Sequence, residues 1–158
     1  MNMWMNDMEA NLDRYDRAIL DALSENARMT VTELSERVGL SKTPCAARLR
    51  RLEETGIILG YRPVLNRARL GQGHIAFVQV SLTDTKMRAL DAFEAAARRI
   101  PEVEQCHMIA GSFDYLVKVR TRDIGAFRTV LGEKISALPH VSHTSTFVAM
   151  GVVLDQGG

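Results

Sequence analysis

Residues 41–51 read Ser-Lys-Thr-Pro-Cys-Ala-Ala-Arg-Leu-Arg-Arg. They bring hydroxyls, an ammonium and three guanidinium groups into one short stretch. Such groups bond phosphate oxygens and the edges of bases. If the stretch is a helix opening at Ser41, Pro44 falls in its first turn, where a missing N–H costs nothing. Lys42 and Thr43 then stand at its start, beside free backbone amides. Ala46 and Ala47 are small enough for close approach to a groove floor. Arg48 and Arg51 are three apart and share a face, with Arg50 to one side. Cys45 reads as a small contact or packing residue, because no neighbour marks it as a nucleophile. The plainer alternative is a helix whose arginines are only solvated.

The surrounding elements bear on that choice. Asp13 caps a helix that carries Ile19, Leu20 and Leu23 on one stripe, with Asp16 in its first turn. Thr30 and Glu33 form a capping box for a short second helix, which carries Leu34 and Val38 and stops at Gly39. The helix from Ser41 buries Leu49 and Leu52 and ends at Gly56. Two short helices joined through Gly39-Leu40-Ser41 make a helix-turn-helix, and residues 57–62 read as a strand and turn, a candidate wing. The tight turn followed by a basic helix favours double-stranded DNA as the partner. Charge agrees: residues 28–69 hold nine basic and four acidic side chains, a net of +5, whereas residues 71–158 hold nine of each.

The second half alternates strands and helices. Residues 74–82 read as a strand. A helix capped by Asp84 follows, with Met87, Leu90, Phe93, Ala97 and Ile100 inward and Pro101 as its stop. Residues 103–110 and 115–121 read as two further strands about a turn at 111–114, with Tyr115, Val117 and Val119 on one face. Asp123 caps a helix with Ile124, Phe127, Leu131, Ile135 and Leu138 on one stripe, and residues 145–154 read as the last strand. The order βαββαβ is that of a ferredoxin-like unit. Such a sheet leaves one face open, and Phe77 and Val117 suggest that a second copy covers it, giving at least a homodimer. The expected class is α+β. A flexible leader (1–11) precedes a winged helix-turn-helix domain (12–62), a linker (63–73) and a βαββαβ domain (74–154).

The turn 111–114 is the other place for chemistry. Gly111 lets a ligand approach the backbone, turn amides suit a carboxylate, and Asp114 suits an ammonium group. The plainer alternative for Asp114 is an ordinary turn residue that bonds its own backbone. No acid–base set, metal spacing or phosphate loop occurs, so the chain does not read as an enzyme, and no cofactor or metal is expected. His140 and His143 follow a helix-stopping Pro139, and Cys106 and His107 would point to opposite faces of a strand. Two cysteines among 158 residues fit a reducing cytoplasm. No apolar run is long enough for a membrane span, and residues 1–11 lack the features of a secretory signal. A sensor acting through protein contacts and a small enzyme using the sheet face are the other classes weighed. The basic helix argues against the first and the missing acid–base set against the second.

Four stretches together resemble the leucine-responsive regulatory protein/AsnC family of transcription regulators. They are Leu12-Asp13-x-x-Asp16-x-x-Ile19-Leu20; Leu34-Ser35-x-x-Val38-Gly39-Leu40-Ser41-x-Thr43-Pro44-Cys45; Arg48-x-x-Arg51-Leu52-Glu53-x-x-Gly56-x-Ile58; and Val103-x-x-Cys106-His107-x-x-x-Gly111-x-x-Asp114-Tyr115-Leu116. The resemblance implies a DNA reader using Ser41, Lys42, Thr43, Pro44, Cys45, Arg48, Arg50 and Arg51. It implies dimers that assemble further, up to an octamer. It also implies an amino-acid effector held between subunits by His107, Ala110, Gly111, Ser112, Asp114, Thr144, Thr146 and Phe147. Ser112 and Gly151 stand where relatives often carry acidic residues, which points to a different effector or a weaker response.

Overall fold

The computed structural model describes residues 12–154; the leader assigned to 1–11 lies outside them. The chain divides into two compact units, with the boundary between Pro63 and Val64.

The first unit is helical: α1 (Arg14–Glu25), α2 (Val31–Val38) and α3 (Lys42–Glu54). Local chemistry sets the ends. Asp13 accepts from the amides of Tyr15 and Asp16, and Asp16 reaches back to the Asp13 amide, a reciprocal box built from two aspartates. Thr30 and Glu33 repeat the device for α2. Gly39 ends α2 at φ 73°, a left-handed conformation that a side chain would strain. Ser41 begins α3 without a side-chain cap bond. Ile19, Leu23, Leu34, Cys45 and Leu52 form the core, with Val38, Leu49, Ile57 and Ile58 packed at its margin. Residues 57–62 form no strand. The Ile58 amide instead bonds Leu52 O at 2.9 Å, folding the chain back on α3, and Tyr61 donates to Glu53 at 2.7 Å.

The second unit runs β1 (His74–Leu82), α4 (Met87–Ala97), β2 (Val103–Met108), β3 (Tyr115–Thr121), α5 (Ile124–Val130) and β4 (Val141–Val148). The antiparallel sheet has the order β2-β3-β1-β4, with β1 between β3 and β4. This is the expected βαββαβ arrangement. Val78, Val80, Tyr115, Val117 and Val119 face a core completed by Phe93, Ala97, Phe127, Val130, Ile135 and Leu138.

Several boundaries differ from expectation. Asp84 does not cap α4: its carboxylate accepts from the Lys86 amide and turns the chain, so the helix starts two residues later and Met87 is exposed. Ile124 is also exposed. A π-helical turn over Leu131–Ile135, closed by the Ser136 amide on Leu131 O, resets the register and brings Ile135 inward. β4 begins and ends earlier than residues 145–154. Its ladder runs from Val141 opposite Leu82 to Val148 opposite Ala76, and the Ala149 amide on Ile75 O closes it where β1 runs out. Val117 is buried on the covered face. The open face is carried instead by Ile75, Phe77, Leu116 and Phe147, as their cross-strand partners show.

Candidate functional site

α3 buries Cys45 and Leu52, so its outward face is the one opposite them. At 3.6 residues per turn that face carries Thr43, Ala47 and Arg50, all exposed, and Ser41, Lys42 and Pro44 are exposed at its start. Lys42 and Arg50 have no hydrogen bond or ion pair among the described residues. The exposed side of α3 therefore presents one ammonium, at its start, and one guanidinium, two turns further on, to solvent beside small side chains.

Three of the expected residues are placed differently. Cys45 is wholly buried, so its thiol belongs to the core, and desolvation raises its pKa. Arg48 and Arg51 turn toward α1. Arg48 Nη1 lies 2.9 Å from Asp16 Oδ1 and 2.6 Å from Asp13 Oδ2, while Arg51 Nη2 lies 2.5 Å from Asp16 Oδ2. Asp16 is 0% exposed. Arg51 stays half-exposed while paired, and Arg50, expected to one side, is the arginine left without an ion pair among the described residues. The matching three-residue spacings, Asp13/Asp16 and Arg48/Arg51, were the only signal of this cluster in the sequence.

Burial by itself would raise the Asp16 carboxyl. Hydrogen bonds from Arg51, Arg48 and the Asp13 amide outweigh burial and hold its pKa below the ordinary 3.8. A carboxyl depressed on folding adds stability that is complete above its unfolded pKa and is lost as pH falls through its folded pKa. Protection factors for amide exchange in α1 and α3, with the intrinsic pH dependence of exchange divided out, should therefore fall as pH drops below about 4, and less steeply in Asp16→Asn. Some dependence remains in that variant, because Asp13 and Glu33 are also depressed. An identical acid profile in both proteins would contradict this.

In the second unit, the Asp114 carboxylate accepts the Leu82 amide at 2.7 Å, and its own amide donates to Val80 O at 2.9 Å. The ladder between β1 and β4 is irregular between Ser81 and Leu82, so Asp114 takes an amide beside that defect. Its backbone role is thus real, though across the sheet rather than within its own turn. Ala110, Gly111 and Ser112 are exposed beside it. Thr144 pairs with Val80, and Thr146 pairs with Val78, so both share the helix-covered face. His107 pairs with Leu116, and Phe147 pairs with Phe77, so both lie on the open face. One chain therefore does not gather these residues around one cavity. No group of side chains suited to a metal ion occurs among the described residues, nor is any helix there long and apolar enough to cross a membrane.

Comparison with known proteins agrees with both units. Residues 12–58 match the winged helix-turn-helix DNA-binding family, and residues 75–158 match the Lrp/AsnC ligand binding domain. The chain is 61% identical to a proline dehydrogenase transcriptional activator of Rhizobium radiobacter, covering 93% of this chain and 94% of the relative. A protein of the same description from Rhodobacter capsulatus is 57% identical, covering 92% and 94%. Among solved structures, a transcriptional regulator from Neisseria meningitidis in complex with L-Met superimposes with a TM-score of 0.84 at 35% identity, covering 91% and 93%.

Proposed function

Because this chain belongs to the Lrp/AsnC family of DNA-binding transcription regulators, which are not enzymes, we propose that it is an amino-acid-responsive activator of a proline dehydrogenase gene. The carrying observation is the outward face of α3, where Lys42 and Arg50 stand free beside Thr43 and Ala47. It acts in the cytoplasm as a homodimer or a higher even-numbered assembly. Two-fold symmetry then offers two copies of α3 to successive turns of double-stranded DNA, roughly 34 Å apart or a multiple of it.

The effector is an amino acid held at the turn 111–114, between subunits. What supports a shared site is that His107 and Phe147 stand on one sheet face and Thr144 and Thr146 on the other. A neighbouring chain would have to complete the pocket. L-Met is bound by a structural relative, and proline is the substrate of the enzyme named in the closely similar relatives. Both are amino acids, so turn amides for the carboxylate and Asp114 for the ammonium fit either.

Calorimetry with each of the twenty amino acids, alongside light scattering and band shifts on its own upstream region, tests this reading. One amino acid should bind, change the assembly and alter the shift. Asp114→Asn keeps an acceptor for the Leu82 amide but loses the charge. It should bind that ligand at least tenfold more weakly, with binding to DNA unchanged in its absence. Equal affinity in the variant removes Asp114 from the site. A monomer that shifts no duplex removes the regulator reading.

A further inference from the structure

We propose that Arg48 and Arg51 are positioning residues: with buried Asp16 they clamp α3 to the start of α1 and set how its outward face meets DNA, taking neither phosphate nor base themselves. The proposal rests on the DNA-reading role of α3 and assigns its arginines different tasks. The strongest observation is the state of Asp16. It is wholly buried, and both its oxygens are engaged, Oδ1 by Arg48 and Oδ2 by Arg51 and the Asp13 amide. A buried carboxylate is tolerated only when paired and hydrogen-bonded. A guanidinium leaving for a phosphate would take away one of its two cationic partners. Lys42 and Arg50 carry no such debt.

The network also reaches the start of α1. Arg48 bonds Asp13 Oδ2, and Asp13 Oδ1 holds the amides of Tyr15 and Asp16 that open the helix. The Arg48 guanidinium lies 5.5 Å from the centre of the Tyr15 ring. Apolar contacts of Cys45 and Leu52 hold α3 against the core, but such contacts are non-directional. Charge-assisted bonds from side chains one turn apart fix the rotation of α3 about its axis and its position along it. Rotation is what decides whether Thr43, Ala47 and Arg50 point into a groove.

The test compares the full chain with Arg51→Gln, Asp16→Asn and the double variant. Each is titrated, across a salt series, with its own upstream duplex and with a random duplex of equal length. Arg51→Gln should lower affinity for the upstream duplex by about tenfold, leave the random duplex nearly unaffected and leave the salt slope unchanged. In the Asp16→Asn background the same change should cost nothing further. A slope lowered by about one unit per half-site, with equal and additive losses on both duplexes, makes Arg51 a phosphate contact and overturns the proposal. If Arg51→Gln does not fold, Arg51→Lys decides. It keeps the charge but loses the planar fork, so a clamp loses discrimination and a phosphate contact stays near wild type. If the wild-type chain binds neither duplex, the DNA-reading role fails and the proposal with it. A wild type that binds both equally overturns the assigned presentation of α3, while leaving the charge-driven part of DNA binding in place.

Discussion

Phe93→Ala should lower the stability of the βαββαβ unit by about 3–5 kcal/mol. Phe93 is 0% exposed, and its ring centroid lies 4.4 Å from that of Tyr115. That pair joins α4 to β3, and the rest of the core closes around it: Val78 and Val80 from β1, Val117 from β3, and Phe127 from α5. Truncation removes the buried ring area and leaves a cavity that neighbours on two helices and two strands cannot all fill. It also removes an aromatic pairing worth about 0.5–1.5 kcal/mol. Phe77 provides the contrast. It lies on the open face, opposite Lys118 and Phe147, and is only half-buried in one chain. Phe77→Ala should therefore change the assembly seen by light scattering more than the unfolding of a subunit. Urea unfolding followed by circular dichroism checks both variants. Equal midpoints would mean that the covered and open faces contribute alike, against the burial pattern.

How much of this was legible in the sequence depended on how local each interaction is. The Thr30–Glu33 box, the Gly39 stop, the Asp123 cap and the shared face of Tyr115, Val117 and Val119 all follow from residues a few positions apart, although which side of the sheet that face takes does not. These could be read directly, and they carry the fold class. Some errors arose where a neighbour elsewhere in the chain decides, and others where local geometry departs from what the residue types suggest. Asp84 has the chemistry of a cap but serves a turn. The end of β4 is set by where β1 stops offering partners. The π-helical turn after α5 shifts a stripe that looked regular. Residues 57–62 have the composition of a strand, yet no partner strand is offered to them.

The candidate sites show the same division more sharply. Position along α3 identified a basic, DNA-like helix, but not which arginine is left unpaired. That choice depends on Asp16, 32 residues from Arg48 and 35 from Arg51. Asp114 likewise read as a partner for an ammonium group, with a local turn role as the alternative, and its partner in the chain is Leu82, 32 residues away. Buried or bridging carboxylates of this kind are organised by tertiary contact. Their residue types are visible in a sequence; their pairing is not.

The paired variant Lys42→Ala/Arg50→Ala should weaken DNA binding by roughly a thousandfold at physiological salt, with little loss of stability. Both side chains lie on the exposed side of α3 and have no hydrogen bond or ion pair among the described residues, so their removal strands no buried group. Each cation that neutralises a phosphate releases condensed counterions, worth a salt slope of about 0.9. Two such side chains on each of two symmetry-related subunits make a slope change of about 3.6, and at about 0.15 M salt that slope corresponds to about three decades of affinity. A log–log plot of affinity against salt measures the slope directly. If Arg50 grips a guanine edge instead, the loss becomes about 1–3 kcal/mol per half-site and is confined to one base position, which a set of single-base variants would reveal. If neither slope nor base preference changes, α3 does not meet DNA through this face. The clamp of Asp16, Arg48 and Arg51 would then hold the helix in place for a different partner.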